Sequence, residues 1–385
     1  MNPLDATISR LLAEFGPDAV PDAPLGSLTT YRVGGRAALL VSVESADQLR
    51  RIGEVVASAD ADGIDLLVIG RGSNLLVADR GFPGIAVQLG ERFASVEVEG
   101  TTVRAGGATP LPVVARRSVA AGLSGFEWAV GVPGTIGGAV RMNAGGHGSD
   151  MAASVLGVRV VDLRSGEDAE MEPSQLAFGY RCSALRSEQV VVECRLGLRP
   201  GERDAGEVEL AEIVRWRRDN QPGGANAGSV FTNPVGDSAG RLIEMAGLKG
   251  LRIGSAEVSV KHANFIQADL DGSADDVAAL MCTSGSTGLP KVVPITFDNL
   301  AANSVDTLNG LAGNDLLNGF GNRFNTALAS SWFSIMARIY LWPPHRHRNT
   351  SSLNVRLSNL SPIHSGRLHS LLFGCLFPQC HLVPE

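Results

Sequence analysis

A short apolar run, Asp65-Leu66-Leu67-Val68-Ile69, runs straight into Gly70-Arg71-Gly72-Ser73-Asn74-Leu75-Leu76. The run reads as a strand, and the glycines end it in a tight turn. Such a loop turns several backbone N–H groups toward one point, as an anion requires. A second segment of the same kind follows, Gly131-Val132-Pro133-Gly134-Thr135-Ile136-Gly137-Gly138-Ala139-Val140, then Met142-Asn143-Ala144-Gly145-Gly146. Neither is a GxGxxG turn opening a helix, and neither is a GxxxxGK[ST] phosphate loop. Alone, each reads as a turn at a strand end. Together, they can wrap an extended anionic group.

The surrounding pattern is α+β. Leu4, Ile8, Leu11, Leu12 and Phe15 have helical spacing. A Pro/Gly/Asp segment from Gly16 to Gly26 reads as a linker. Residues 38–43 read as a strand, Ala46 to Ala57 as an amphipathic helix, and 65–69 as the next strand of a βαβ-like unit. Short strands follow at 85–89, 95–98 and 102–105. Residues 111–121 read as a helix, 156–163 and 189–198 as strands, and 207–219 as a helix with a charged face.

Composition narrows the function classes. With 44% hydrophobic and 19% charged residues the chain reads as globular. A net charge of −7 argues against a general nucleic-acid binder. Cys182, Cys194, Cys282, Cys375 and Cys380 fit neither a zinc ribbon nor a CxxC motif and read as free thiols. Nothing approaches the ~20 apolar residues that span a bilayer. The start, MNPLDATISRLLAEF, is not a signal peptide. The expectation is a cytoplasmic monomer with a small-molecule substrate and no nucleic-acid, membrane or metal partner.

Several blocks occur in one order: Tyr31-Arg32-Val33-Gly34-Gly35, the two glycine segments, Phe178-Gly179-Tyr180-Arg181-Cys182-Ser183, and Asn226-Ala227-Gly228-Ser229-Val230-Phe231-Thr232-Asn233-Pro234. Gly240-Arg241-Leu242-Ile243-Glu244 with Gly247-Leu248-Lys249-Gly250, and Val258-Ser259-Val260-Lys261-His262-Ala263-Asn264-Phe265, complete the set. This arrangement resembles the UDP-N-acetylenolpyruvoylglucosamine reductases, from about Leu25 to about Leu280. The 47 residues from 182 to 228 between Arg181 and Ser229 resemble the shorter class of that family.

The resemblance implies a two-part FAD-binding domain of the vanillyl-alcohol-oxidase type over 25–200, after an N-terminal helix and linker (1–24). A truncated α+β substrate-binding domain would follow over 201–281. It implies FAD and NADPH as cofactors, and reduction of UDP-N-acetylglucosamine enolpyruvate to UDP-N-acetylmuramate for peptidoglycan. Gly34, Gly35, Gly70, Gly72, Ser73, Asn74, Leu75, Gly131, Pro133, Gly134, Thr135, Gly137, Gly138 and Asn143 would hold FAD. NADPH would reduce the flavin, which would give hydride to C3 of the enolpyruvyl ether. Arg181 would then stabilise charge developing at C2 and the carboxylate. Ser229 would deliver the proton to C2 as general acid, assisted by nearby positive charge. Tyr180, Asn233 and His262 are the substrate-binding candidates.

After Met281 the family pattern stops. The family's last catalytic group, a glutamate in an L-x-P-E-V-type segment, is assigned here to no residue, which leaves a catalytically impaired flavin-binding chimera as an alternative. Thr283-Ser284-Gly285-Ser286-Thr287-Gly288-Leu289-Pro290-Lys291 resembles the phosphate loop of adenylate-forming enzymes, giving an ATP-dependent fragment as another. Leu311 to Gly319 faintly resembles one calcium β-roll repeat, which needs tandem copies. From Ser331 the only acid is Glu385, and His345, His347, His364, His369 and His381 are irregularly spaced. Residues 282–385 therefore read as a heterologous, disordered tail.

Overall fold

The computed structural model describes residues 2–59, 63–234, 236–284 and 290–292. Its first helix, α1 (Pro3–Phe15), opens with the Asn2 side chain accepting from the Leu4 N–H and with proline in the first turn. The segment expected to be a linker instead contains an edge strand, β1 (Ala19–Pro24), antiparallel to β2 (Arg36–Val43). Two prolines and only two buried side chains, Ala19 and Ala23, hide it from pattern reading; an edge position tolerates both. Next comes α2 (Ala46–Ala57), started by a capping box of Ser45 and Gln48.

Strands β3 (Leu66–Ile69) and β4 (Phe82–Leu89) complete a sheet of order β1-β2-β4-β3, with β2, β4 and β3 parallel. The βαβ-like unit is real, but β4 lies between its two strands. Leu49, Ile52, Val55 and Val56 of α2 bury against β2 and β4 and against Val161 and Val190 of the next layer.

The second layer begins with β5 (Val96–Glu99), β6 (Thr102–Gly106) and α3 (Leu111–Ala120), then the two-residue strand β7 (Leu123–Ser124). The short helix α4 (Ile136–Arg141) precedes a hairpin of β8 (Gly145–Gly146) and β9 (Ser149–Asp150). Then come β10 (Val155–Asp162), β11 (Asp168–Met171), α5 (Pro173–Leu176), β12 (Gln189–Gly197) and β13 (Arg199–Pro200), the last paired with β7. The main sheet is antiparallel, in the order β11-β10-β12-β6-β5. Its core gathers Val103, Leu111, Val114, Phe126, Trp128, Ile136, Val158 and Leu196.

A long helix, α6 (Arg203–Asn220), leads to the third layer, which holds α7 (Ala239–Met245), β14 (Arg252–Ile253), β15 (Ala256–Val258), β16 (Ile266–Ala268) and α8 (Ala274–Met281). The antiparallel order is β14-β15-β16. Its core contains Val258, Ile266, Ala274, Val277 and Met281, and also Tyr31, Val33 and Leu76 from the first layer. Past α8, β17 (Cys282–Ser284) pairs with β18 (Pro290–Val292). Of the phosphate-loop-like segment 283–291, residues 285–289 lie outside the described residues, as do the β-roll-like stretch and the histidine-bearing tail; the disorder expected from residue 282 onward is replaced by paired strands at 282–284 and 290–292.

Candidate active site

Three loops meet beside the first sheet. The Thr30 N–H donates to the Gly72 carbonyl at 3.1 Å. Ser73 Oγ donates to the Pro133 carbonyl at 3.1 Å. The Gly35 N–H donates to Ala78 O at 2.9 Å. The 29–35, 70–78 and 131–138 segments are thus one unit, although 60 residues separate Ser73 from Pro133 in sequence.

Gly72 shows why the residue types are needed. Its φ is +59°, and a Cβ there would lie 2.2 Å from the Leu28 carbonyl oxygen. Gly34 and Gly35 back in the same close way onto the backbones of Val77 and Asp79, so they serve the joint between loops. Gly70 faces the Thr135 hydroxyl. Leu75 is buried, Asn74 lies in the turn between Ser73 and Leu75, and Gly137 donates to Gly107 O at 2.9 Å. Thr135 Oγ1 accepts from the Gly138 N–H and caps α4. Gly131 is where Ile213 and the Arg217 stem of α6 pack.

Among the described residues, the backbone N–H groups of Gly72, Ser73, Gly134 and Thr135 have no acceptor. Free donors in two joined turns are what an extended phosphate ester needs. The cradle therefore fits a dinucleotide such as FAD.

Asn143 has another task. It is buried with φ +39°, and its amide is fully used: it donates to Asp150 at 3.2 Å and to the Gly179 carbonyl at 2.9 Å, and it accepts from the Ala152 N–H at 3.0 Å. It ties the loop after α4, the β8–β9 hairpin and the 179–182 turn together. Arg181 sits on that turn with φ +60° and donates to the Gly145 carbonyl at 2.9 Å. Its guanidinium lies 5.5 Å from the centre of the Tyr180 ring, and Tyr180 is 64% exposed. Both side chains remain open to a ligand.

Ser229, Asn233 and His262 line one polar cavity of about 330 Å³, with Arg241, Glu244, Lys249 and Lys261 on its walls. Arg181 and Tyr180 do not line it. The cavity's charges are partly paired: Lys249 meets Glu244 at 2.7 Å, Arg241 pairs with Asp237, and Lys261 Nζ donates to the Arg218 carbonyl of α6. Asn233 Oδ1 accepts from the Ala239 N–H at 3.0 Å, which leaves its amide N–H₂ for a ligand. His262 Nδ1 accepts from the Asn264 N–H at 3.2 Å, which assigns the imidazole proton to Nε2. Burial pushes the His262 pKa down, and the Lys249 charge adds to that.

The Ser229 turn is rigid. Gly228 has φ +81°, and its N–H donates to Asn226 Oδ1 at 3.0 Å. Asn264, only 4% exposed, grips the next residues from behind. Its Oδ1 accepts from Phe231 N–H at 2.8 Å, its Nδ2 donates to Phe231 O at 2.9 Å, and its own carbonyl accepts from Val230 N–H. Asn264 and Tyr31 are site-building residues that the sequence reading quoted within motifs but gave no role. No local signal marks Asn264: its partners at Phe231 lie 33 residues away in the chain.

The comparisons with known proteins agree with this geometry. A model described as "FAD binding domain" matches residues 37–171, and one described as "UDP-N-acetylenolpyruvoylglucosamine reductase, C-terminal domain" matches 220–284. UDP-N-acetylenolpyruvoylglucosamine reductase 2 of Symbiobacterium thermophilum is 42% identical over 266 residues, covering 69% of this chain and 85% of that protein. The reductase of a Synechococcus strain is 40% identical over 299 residues, 75% of this chain and 89% of its own. Among solved structures, the reductase (MurB) of Thermus caldophilus aligns with a TM-score of 0.60 at 38% identity, covering 68% of this chain and 91% of that one. The chain thus belongs to the UDP-N-acetylenolpyruvoylglucosamine reductase family, with an FAD-binding domain followed by the family's C-terminal domain.

Proposed function

We propose that this FAD-dependent oxidoreductase reduces UDP-N-acetylglucosamine enolpyruvate to UDP-N-acetylmuramate with NADPH, in the cytoplasm, with Arg181 and Ser229 at the reacting centre. The observation that carries the reading is the shared cavity of Ser229, Asn233 and His262 beside a turn held by Asn264. FAD would be held by the 72–73 and 134–135 turns, where it would supply hydride-transfer chemistry between NADPH and C3 of the enolpyruvyl group.

The chain's own residues do the rest. The unpaired N–H groups of the 72–73 and 134–135 turns hold the cofactor's phosphates, while Asn143 keeps the Arg181 turn beside the hairpin. The Arg181 fork binds the substrate carboxylate and stabilises it most as charge builds at C2. Ser229 gives its hydroxyl proton to C2. Lys249, Lys261 and Arg241 line the same cavity and lower the free energy of the alkoxide left behind. Tyr180 and the amide N–H₂ of Asn233 contact the substrate, and His262 offers its Nε2–H.

An absorbance titration of the purified chain tests this. The protein should be yellow, NADPH should bleach it, and the enolpyruvyl substrate should restore the colour. Bleaching without restoration would mark the catalytically impaired alternative. A colourless protein active in ATP–pyrophosphate exchange would replace the reading with the adenylate-forming one.

A further inference from the structure

Arg181 and Ser229 stand on separate loops, and Arg181 does not line the Ser229 cavity. One element touches the supports of both. Lys261, on a wall of that cavity, donates to the Arg218 carbonyl in the last turn of α6. Two residues earlier on the helix, the Trp216 ring meets the His147 ring edge to face, with centroids 5.2 Å apart and planes at 85°. His147 is at the tip of the β8–β9 hairpin, and the base of that hairpin holds Arg181. The Gly145 carbonyl accepts from the Arg181 guanidinium at 2.9 Å, the only side-chain hydrogen bond of Arg181 among the described residues.

The hairpin cannot keep that carbonyl in place by itself. Its strands have two residues each, and one of them, Gly145–Gly146, brings no side chain to pack. Two-stranded ribbons are marginal on their own even when longer. Asn143 anchors the base through Asp150 and the Ala152 N–H. The tip is the turn His147-Gly148, with φ of +50° and +84°, a conformation that suits asparagine or glycine better than most residues. A ring at such a position needs a contact that uses it, and Trp216 supplies one. Trp216 is 47% exposed, so it gives this contact direction rather than core volume. Gly131 closes the joint from the cofactor side: a Cβ there would lie 3.6 Å from His147 Nε2 and 3.0 Å from Arg217 Cδ.

We propose that Trp216 is a positioning residue for Arg181. Its ring docks the His147 tip, and the docked hairpin aims the guanidinium through the Gly145 carbonyl. Because the same turn of α6 also holds Lys261, it keeps the carboxylate-binding arginine in register with the cavity of the proton donor. The inference rests on the reading of Arg181 as the ligand of the substrate carboxylate. It concerns flavin reoxidation by the enolpyruvyl substrate; NADPH offers Arg181 no carboxylate, so bleaching is spared.

The experiment uses the full-length, flavin-loaded chain under anaerobic stopped flow. Trp216→Leu removes the ring from the helix side. His147→Asn removes it from the hairpin side and keeps a residue that tolerates the turn. Each should stay yellow, bleach with NADPH within about twofold of the parent, and reoxidise roughly tenfold more slowly, short of the hundredfold or so that a misplacement of about 1 Å can bring. The double variant should be no slower than the worse single one, and Trp216→Phe, which keeps a ring, should recover most of the rate. In an Arg181→Lys background, which lacks the planar fork, adding Trp216→Leu should slow reoxidation no further.

Equal slowing of both half-reactions, no slowing, or multiplied effects in the double variant would overturn the inference while leaving Arg181 as carboxylate ligand intact. If Trp216→Leu does not fold, His147→Asn at the exposed tip decides alone. A colourless His147→Asn protein would overturn the inference too, since the ring pair would then serve Gly131 and the cofactor segment. Unimpaired reoxidation by Arg181→Ala would instead remove the reading of Arg181, and the inference with it.

Discussion

Asp79 and Ser273 lie 194 residues apart in the chain, yet the Ser273 hydroxyl donates to Asp79 at 2.6 Å. The same carboxylate accepts from the Ala274 N–H at 2.9 Å and the Asp275 N–H at 3.2 Å. An acid from the loop after Leu76 thus caps α8 of the third layer across the layer boundary. It meets the positive end of that helix, satisfies the Ala274 N–H, and shares the Asp275 N–H with Ser273 Oγ, which accepts from it at 3.1 Å.

Replacing Asp79 by alanine should therefore destabilise the third layer by roughly 0.5–2 kcal/mol. Asparagine, which can still accept but carries no charge, should lose less. Urea denaturation of both variants, with hydrogen exchange read over 274–281, checks the order. Exchange unchanged at α8 in Asp79→Ala would show that the cap is not needed.

Asn264→Ala should be more damaging. It strips the partners from the Phe231 N–H and C=O in a part-buried place, at roughly 1–3 kcal/mol at most for each group left unsatisfied. Because the same bonds hold the Ser229 turn, flavin reoxidation by substrate should fall with stability, while bleaching by NADPH should fall less. Thermal denaturation and the two half-reactions measured side by side test this.

Gly72→Ala should abolish cofactor retention. The new Cβ would sit 2.2 Å from the Leu28 carbonyl oxygen, a backbone atom that cannot swing aside, and φ is +59°. The turn must then rearrange, and with it the free N–H groups at 72 and 73. The expected result is a folded but colourless protein, read from the flavin-to-protein absorbance ratio.

Much of this was legible from residue pattern. The helix Ala46–Ala57 carries its own capping box and one apolar face, so local chemistry and tertiary use agree. The glycine segments announced themselves because a Cβ at a position such as Gly34, Gly35 or Gly72 would strike neighbouring backbone. Edge strand β1 was hidden by its prolines, and β14–β16 by strands of two or three residues, too short to show alternation. The roles of Asp79, Asn264 and Tyr31 were hidden for a different reason. Each depends on a contact across long sequence separation, and no local signal distinguishes such an aspartate from a surface acid. The residue-level site was legible only through order: serine in Asn226-Ala227-Gly228-Ser229 is an ordinary turn residue until the other blocks stand around it.

His262 ties acid stability to the same cavity. Burial holds its pKa below the ordinary value, Lys249 pushes the same way, and Glu244 opposes them. The unfolded chain therefore takes up this proton at about pH 6.5, before the folded protein does. Stability rises with pH wherever the unfolded state binds more protons, so His262 contributes a loss of stability as pH falls from about 6.5 toward the lower folded pKa, and no change above that window. His262→Gln, which retains an amide donor but cannot titrate, should flatten that part of the profile. Melting temperatures measured from pH 5 to 8 in parent and variant should converge on the acid side. Parallel curves across the window would show that the imidazole is free to charge in the folded protein and that the cavity does not exclude its proton.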